Sequence, residues 1–361
     1  MSERDLFAPD ALQVQLLLAL LAEPERARPA AQAWLEGVAF DALDEGTRRL
    51  MPMLHSRLAV MHVAHPLVPR IRGLYRQAWY LDSARRQHMQ GVLAALAGLN
   101  TPLVVLKGVA LGQYAYDTPV HRPFVDMDVL VHPDAFDAVV GRMRAMGYTL
   151  RREMFHAICA MPPARGDGLR APGVMELDLH RSPYAEVFGR GHVLPLLDRV
   201  VPVPGMAAGV AMLGAEDQLL HTLSHGLRPN AVMPVRWMVD AVQLLRVQPG
   251  SIDWTLFADE AARLDQAAVA RMALDVVAGL DVVRMRAPFN SLPAVRPEAR
   301  ARVVRERTAR GARLIWQLTR RNGGLWRRVG LIVGLLRDRV AADGWGAVLR
   351  AAWRGGASHP G

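Results

Sequence analysis

Apolar residues recur at three- and four-residue spacing from residue 9 to residue 98, as in Leu12, Val14, Leu16, Leu17, Leu20 and Leu21, and again from Ile71 to Leu99. A stripe of that period marks an amphipathic helix, so this region is predicted as helices. Pro24, Pro29, Pro52, Pro66 and Pro69 stand at plausible helix boundaries, because proline lacks the amide hydrogen that a helix interior uses. At Thr101 the pattern changes. Pro102-Leu103-Val104-Val105-Leu106 is a short continuous apolar run ended by Lys107-Gly108, which predicts a buried strand feeding a turn and a helix. Residues 124–131 predict a second strand, charged on one face only, at Asp126 and Asp128. Pro133 then opens a helix that runs to Met146 and closes on the C-cap glycine Gly147.

Two further strands are expected at 149–153 and 155–161, and a third at 174–180 that returns across the Pro/Gly-rich loop 162–173 as a hairpin. From about Gly214 the helical period resumes, over 215–227, 235–247, 254–264 and 267–280. No repeat of fixed period is present. The fold class is therefore α+β, in four parts. An N-terminal helical region (1–100) precedes a small sheet core (101–205), a helical domain (206–295) and a basic helical C-terminal tail (296–361).

The chain has 361 residues, 51% apolar and 6% aromatic, enough for a sizeable core and in keeping with a helix-rich protein. Its one cysteine, Cys159, excludes an intramolecular disulfide and a cysteine-cluster zinc site, and suggests a reducing compartment. The first residues carry acids and only a short apolar run, unlike a signal peptide or a spanning helix, so a cytoplasmic setting is expected. The net charge of +10 is uneven: residues 296–361 hold 15 arginines, no lysine and 4 acids, while the remainder is close to neutral. Trp316, Trp326, Trp345 and Trp353 lie among those arginines. Such a tail suits an anionic membrane surface, at the inner face of the membrane, or nucleic acid; it equally suits solvated helices capping the domain.

Lys107 is the only lysine among 44 basic residues. Asp126 and Asp128, at i and i+2 on a strand, point to the same face, where two carboxylates repel unless a cation lies between them. Hard oxygen ligands so spaced suit Mg²⁺ or Mn²⁺, and Asp178 and Glu176 are candidates for a third carboxylate on an adjacent strand. Solvated carboxylates on an exposed strand face are the plainer alternative. His221 and His225 have zinc-enzyme spacing, but Thr222 stands where a metalloprotease needs its glutamate base. They are expected as helix-face histidines near the cleft, with His225 a possible substrate contact. Arg236 and Asp240 predict an i,i+4 ion pair, and Trp237 a core position. Neither a P-loop nor a serine-hydrolase elbow occurs.

The string from Leu106-Lys107-Gly108 to Tyr116, then Arg122-Pro123, Asp126-Met127-Asp128-Val129-Leu130-Val131 and Gly147-Tyr148, resembles a bacterial nucleotidyltransferase family of the polymerase-beta-like superfamily. Leu177-Asp178-Leu179-His180 is similar to that family's acidic-Leu-His strand, and Arg236-Trp237-Met238-Val239-Asp240 to its helical Arg-Trp segment. The resemblance covers roughly residues 95–250. It implies a small mixed β-sheet nucleotidyltransferase core and a transferase that moves an NMP group from an NTP to a hydroxyl-bearing acceptor with release of pyrophosphate. Asp126, Asp128 and Asp178 would be catalytic metal ligands for Mg²⁺ or Mn²⁺. Lys107, Gly108 and Arg122 would bind the nucleotide, ATP among the candidates. His180, His225 and Arg236 would be substrate contacts. The acceptor stays open among small molecule, peptide, protein and RNA.

Three features depart from the pattern. Lys107-Gly108-Val109 stands where the superfamily usually has Gly-Ser, the interval from Gly108 to Asp126 is long, and Arg181 rather than a tryptophan follows His180. Two rival functions remain at this point: a catalytically inactive nucleotide-binding or scaffold protein, and a peripheral membrane or RNA-binding module acting through the tail.

Overall fold

The computed structural model describes residues 7–99, 101–153, 156–163, 173–184, 190–227, 234–247, 252–283 and 291–308. The tail beyond residue 308, with its four tryptophans, lies outside the described residues, as does most of the loop 162–173.

Helices come first: α1 (Ala11–Leu21), α2 (Pro24–Gly37), the single turn α3 (Glu45–Arg48), α4 (Met51–Val60) and α5 (Val68–Leu96). Asp10 starts α1 through a reciprocal capping box: its carboxylate accepts from the Gln13 amide at 2.8 Å, and the Gln13 side chain accepts from the Asp10 amide at 3.0 Å. Pro24, Pro52 and Pro69 sit in first turns, where no intrahelical amide bond is lost. Pro29 does not mark a boundary as expected; it lies inside α2 on the exposed side, and the helix continues past it.

The sheet follows, as β1 (Leu103–Val105), α6 (Lys107–Tyr114), β2 (Asp126–Leu130), α7 (Phe136–Ala145), β3 (Thr149–Glu153), β4 (Ala157–Met161) and β5 (Glu176–His180). The remaining elements are α8 (Arg190–Leu197), β6 (Val201–Pro202), β7 (Val210–Met212), α9 (Ala215–Gly226), α10 (Arg236–Val247), α11 (Trp254–Arg263), α12 (Ala267–Ala278) and α13 (Pro297–Thr308). Gly147 closes α7 as its position predicts. At φ +83 it lets the chain fold back, so that the amides of Gly147 and Tyr148 donate to the carbonyls of Arg144 and Met143.

Among the described residues, seven strands form one mixed sheet in the order β3-β4-β5-β2-β1-β7-β6. The central pair, β2 and β5, is parallel, and β4 and β5 form the expected antiparallel hairpin. Strands β6 and β7, of two and three residues, are too short to show a period; parallel pairing of β7 with β1 brings them into the sheet. The sheet therefore runs to Met212, past the boundary placed at residue 205.

Alternation along the strands divides the molecule into two cores. Val105, Met127, Val129, Leu177 and Leu179 pack with Val139 and Met143 of α7 and Met89, Val92 and Leu96 of α5. On the second core, Val104 and Leu130 join Leu16, Leu17 and Trp34 from the N-terminal helices and Leu219, Trp237 and Met238 from the C-terminal ones. The two helical regions read as separate in sequence thus share one apolar interior. Arg246 of α10 reinforces it by donating to the Leu21 carbonyl at 2.6 Å. Helix α5, 29 residues and so about 44 Å long, reaches from this helical lobe at Ile71 to the sheet at Leu96. Among the described residues no helix is long and apolar enough to cross a membrane.

Candidate active site

Strands β2 and β5 pair in register, Asp126 opposite Glu176, Asp128 opposite Asp178 and Leu130 opposite His180. Period-two alternation places all these polar groups on one face, while Met127, Val129, Leu177 and Leu179 fill the core behind them. Strand β4 extends the row, with Cys159 opposite Asp178 and its thiol donating to Glu176.

Asp128 is the centre of the row. It is 2% exposed, and its Oδ1 accepts from Lys107 Nζ at 2.5 Å and His180 Nε2 at 2.8 Å. Burial alone would raise its pKa, but the Lys107 ammonium and the His180 contact outweigh burial and hold it far below the usual carboxylate range. Its neighbours go the other way. Asp126 and Asp178 are both raised, by burial first and by the charge of Asp128 second. Among the described residues, Asp178 Oδ1 is buried with no hydrogen-bond partner. Three converging carboxylates, one with an orphaned oxygen, form a site short of positive charge, and a divalent cation is what such a donor set fits. Asp128, Asp178 and His180 offer ligand atoms all within 4.8 Å of one another, so the histidine joins the oxygen donors as a candidate ligand while Asp126 flanks the group. Burial and then Glu176 push the Cys159 thiol far up, which keeps it protonated beside the cluster.

Lys107 occupies the turn between β1 and α6. Its φ is +48, in the left-handed region that costs an L-residue about 1–2 kcal/mol. The turn is tied down where the Leu106 amide donates to the Asp128 carbonyl at 3.0 Å. Glycine is required next: a Cβ at Gly108 would lie 2.8 Å from Phe124 Cβ. Among the described residues, no side chain caps the N-terminus of α6.

The remaining expected contacts are distributed otherwise. Arg122 is buried, and its Nε and Nη2 fork onto Asp240 at 2.6 and 2.8 Å, while the Tyr116 hydroxyl donates to Asp240 Oδ1 at 2.5 Å. Its Nε and Nη2 are thus committed to α10, while Nη1 lies 3.5 Å from the Pro123 carbonyl, on the side of Gly108. The i,i+4 pair expected within α10 does not form, because Asp240 serves Arg122 and Tyr116; Arg236 instead donates to the Pro123 carbonyl at 3.2 Å. Burial, with Arg122 nearby, pushes Arg236 down to about 9, so it stays charged at neutral pH. Trp237 is a core residue, as expected, closing on Gly226 of α9. His221 is buried with its ring 5.7 Å from that of Tyr184, and half-buried His225 lies one turn on, its ring 5.9 Å from His221.

Two residues escaped sequence reasoning altogether. Burial raises the pKa of Asp126 and the charge of Arg49, beside α3, partly offsets it; burial lowers that of Arg85 on α5, which Asp82 and then Asp126 partly hold up. The N-terminal helices therefore send positive charge toward the carboxylates, in a region that offered no catalytic pattern. Their only trace in the sequence is the doublets Arg48-Arg49 and Arg85-Arg86, ordinary in a chain so rich in arginine.

Residues 46–280, more than half of the chain, match the profile of a family described as uncharacterised nucleotidyltransferase. No curated protein matches the chain. Two solved structures are similar. One is the solution structure of the antibiotic-resistance factor ANT(2'')-Ia, at 18% identity over 54% of this chain and 95% of that one, with a TM-score of 0.33. The other is the crystal structure of JHP933 from Helicobacter pylori, at 14% identity over 57% of this chain and 91% of that one, with a TM-score of 0.32.

Proposed function

The chain belongs to this family of uncharacterised nucleotidyltransferases, and from that premise we propose that it transfers an NMP group from an NTP, ATP first among those to test, to a hydroxyl-bearing acceptor. The acceptor oxygen attacks the α-phosphorus in line, the bond to the bridging oxygen breaks, and pyrophosphate leaves. The observation that carries this assignment is the in-register pairing of Asp128 with Asp178 on adjacent strands, with Asp178 Oδ1 buried and without a hydrogen-bond partner among the described residues.

Asp126, Asp128 and Asp178 would hold Mg²⁺ or Mn²⁺, with His180 a further ligand; bound there, the ion neutralises phosphate charge and eases loss of the acceptor proton. Asp178 stands on the acceptor side of this assignment. Lys107 and the first turn of α6, which it opens, receive the triphosphate with Gly108, since a helix N-terminus and an ammonium both favour anions. Arg122 holds Asp240 through Nε and Nη2 and so positions the segment leading into β2. Arg236 and Arg85, half-buried around that segment and the carboxylates, face the acceptor, with His225 a more distant contact. A reducing cytoplasmic setting suits the protonated thiol of Cys159.

The test is label transfer. The protein is incubated with each α-labelled NTP, Mg²⁺ or Mn²⁺ and a cell extract. Transfer that disappears in Asp128→Ala is the expected result. No transfer from any NTP, together with no metal-dependent NTP binding, would sink the assignment and favour a scaffold that keeps the fold without turnover.

A further inference from the structure

Asp128 Oδ1 is already occupied by a cation of the chain itself. The Lys107 ammonium lies 2.5 Å from it, and His180 Nε2 2.8 Å from the same atom, within a carboxylate that is almost wholly buried. The ammonium is aimed by a backbone turn in the left-handed region, so its direction is built into the β1–α6 connection. It is also the chain's only lysine, among 43 arginines. A lysine is a compact point charge on a flexible stem, whereas arginine would fork across a carboxylate and hold it. The chain uses that fork elsewhere, at Arg122–Asp240, where nothing has to move.

A divalent ion on Asp128 would stand within a few ångström of the ammonium, and the two positive charges repel in a site this buried. The ammonium then needs another anion. The uncapped N-terminus of α6 begins at Lys107 itself, so a triphosphate received there lies within reach of the same side chain.

We propose that Lys107 is a tethered counter-ion that makes metal binding conditional on nucleotide. In the free protein it neutralises Asp128 and holds divalent cations off. When a nucleoside triphosphate arrives, the ammonium moves from Asp128 to phosphate and the carboxylate is released to the cation. No covalent bond changes. Metal and nucleotide then bind with positive coupling, and linkage requires each to tighten the other by the same factor. This role rests on the metal-dependent transfer proposed above.

Mn²⁺ binding, read by electron paramagnetic resonance of the free ion, tests it without turnover. The wild-type protein, Lys107→Gln and Asp128→Asn are titrated with and without a nonhydrolysable α,β-methylene ATP. Wild type is expected to bind Mn²⁺ weakly alone and on the order of tenfold or more tightly with the analogue. Lys107→Gln is expected to bind Mn²⁺ about tenfold more tightly than wild type without nucleotide, with the coupling reduced toward unity. Unchanged Mn²⁺ affinity in Lys107→Gln, or coupling that survives in it, overturns the counter-ion role. If Asp128→Asn meanwhile loses Mn²⁺, the metal site itself stands; if Asp128→Asn binds Mn²⁺ as wild type does, the metal assignment fails and the counter-ion role with it. Should Lys107→Gln not fold, Lys107→Arg serves in its place. Its fork should hold Asp128 harder and weaken nucleotide-free Mn²⁺ binding, and tighter binding would overturn the role.

Discussion

Asp240→Ala is the substitution whose cost follows most directly from the geometry. The Asp240 carboxylate accepts from Arg122 Nε at 2.6 Å, Arg122 Nη2 at 2.8 Å and the Tyr116 hydroxyl at 2.5 Å, and all three residues are buried. Removing the carboxylate strands a guanidinium that is 5% exposed and leaves a hydroxyl without its acceptor. Breaking one side of a buried ion pair costs about 3–5 kcal/mol, and the stranded hydroxyl adds about 1 kcal/mol or more. Urea unfolding should show a lower midpoint at unchanged slope, and with about 2–4 °C per kcal/mol for a unit of 150–250 residues, Tm should fall by roughly 8–24 °C. Asp240→Asn, which keeps an acceptor but no charge, should fall between. The double variant Arg122→Met/Asp240→Leu should recover much of the loss, because well-packed apolar side chains often replace a buried pair at little cost. A loss under about 1 kcal/mol for Asp240→Ala, against the 3–5 kcal/mol expected, would refute the view that this fork ties the approach to β2 onto the helical lobe.

Gly108→Ala, which drives a Cβ to 2.8 Å from Phe124, should cost about 1–3 kcal/mol in the same unfolding assay; wild-type stability would show that the turn gives way easily. Mg²⁺ at about 100 times its Kd should stabilise the protein by about 2.7 kcal/mol relative to excess chelator, and equal Tm values in the two conditions, with nucleotide present, would contradict a cation at the carboxylates. Asp128→Asn should abolish that shift. Metal affinity should also fall as pH is lowered. Asp126 and Asp178 have pKa values raised above 3.8, so between 3.8 and their raised values they are protonated in the folded protein and must lose protons to bind metal. Asp128, held ionised, should not add to that slope until lower pH. Calorimetric titration with Mg²⁺ across pH checks this, and an affinity independent of pH would count against these carboxylates as ligands.

Much of the fold and half of the candidate site were legible in the chain alone. Strand and helix periods locate β1 to β5 and α9 to α12 because they record which side of each element faces water, and the Asp-x-Asp spacing puts two carboxylates on one face before any neighbour is known. The same alternation on β5 separates Asp178 and His180 from Leu177 and Leu179. What the chain alone leaves undecided is every pairing across distance. Arg122 and Asp240 are 118 residues apart, and nothing local distinguishes an arginine that meets phosphate from one that meets a buried aspartate. Asp240 had a nearer partner at Arg236, yet the packing of α10 against the turn before β2 turned it to Arg122 and Tyr116. Strands β6 and β7 exist only because β1 offers an edge, and Arg85 and Asp126 feel one another's charge only because α5 packs against the sheet. Local sequence determines which way a side chain points from its own backbone; the long-range packing of apolar faces decides what it meets there.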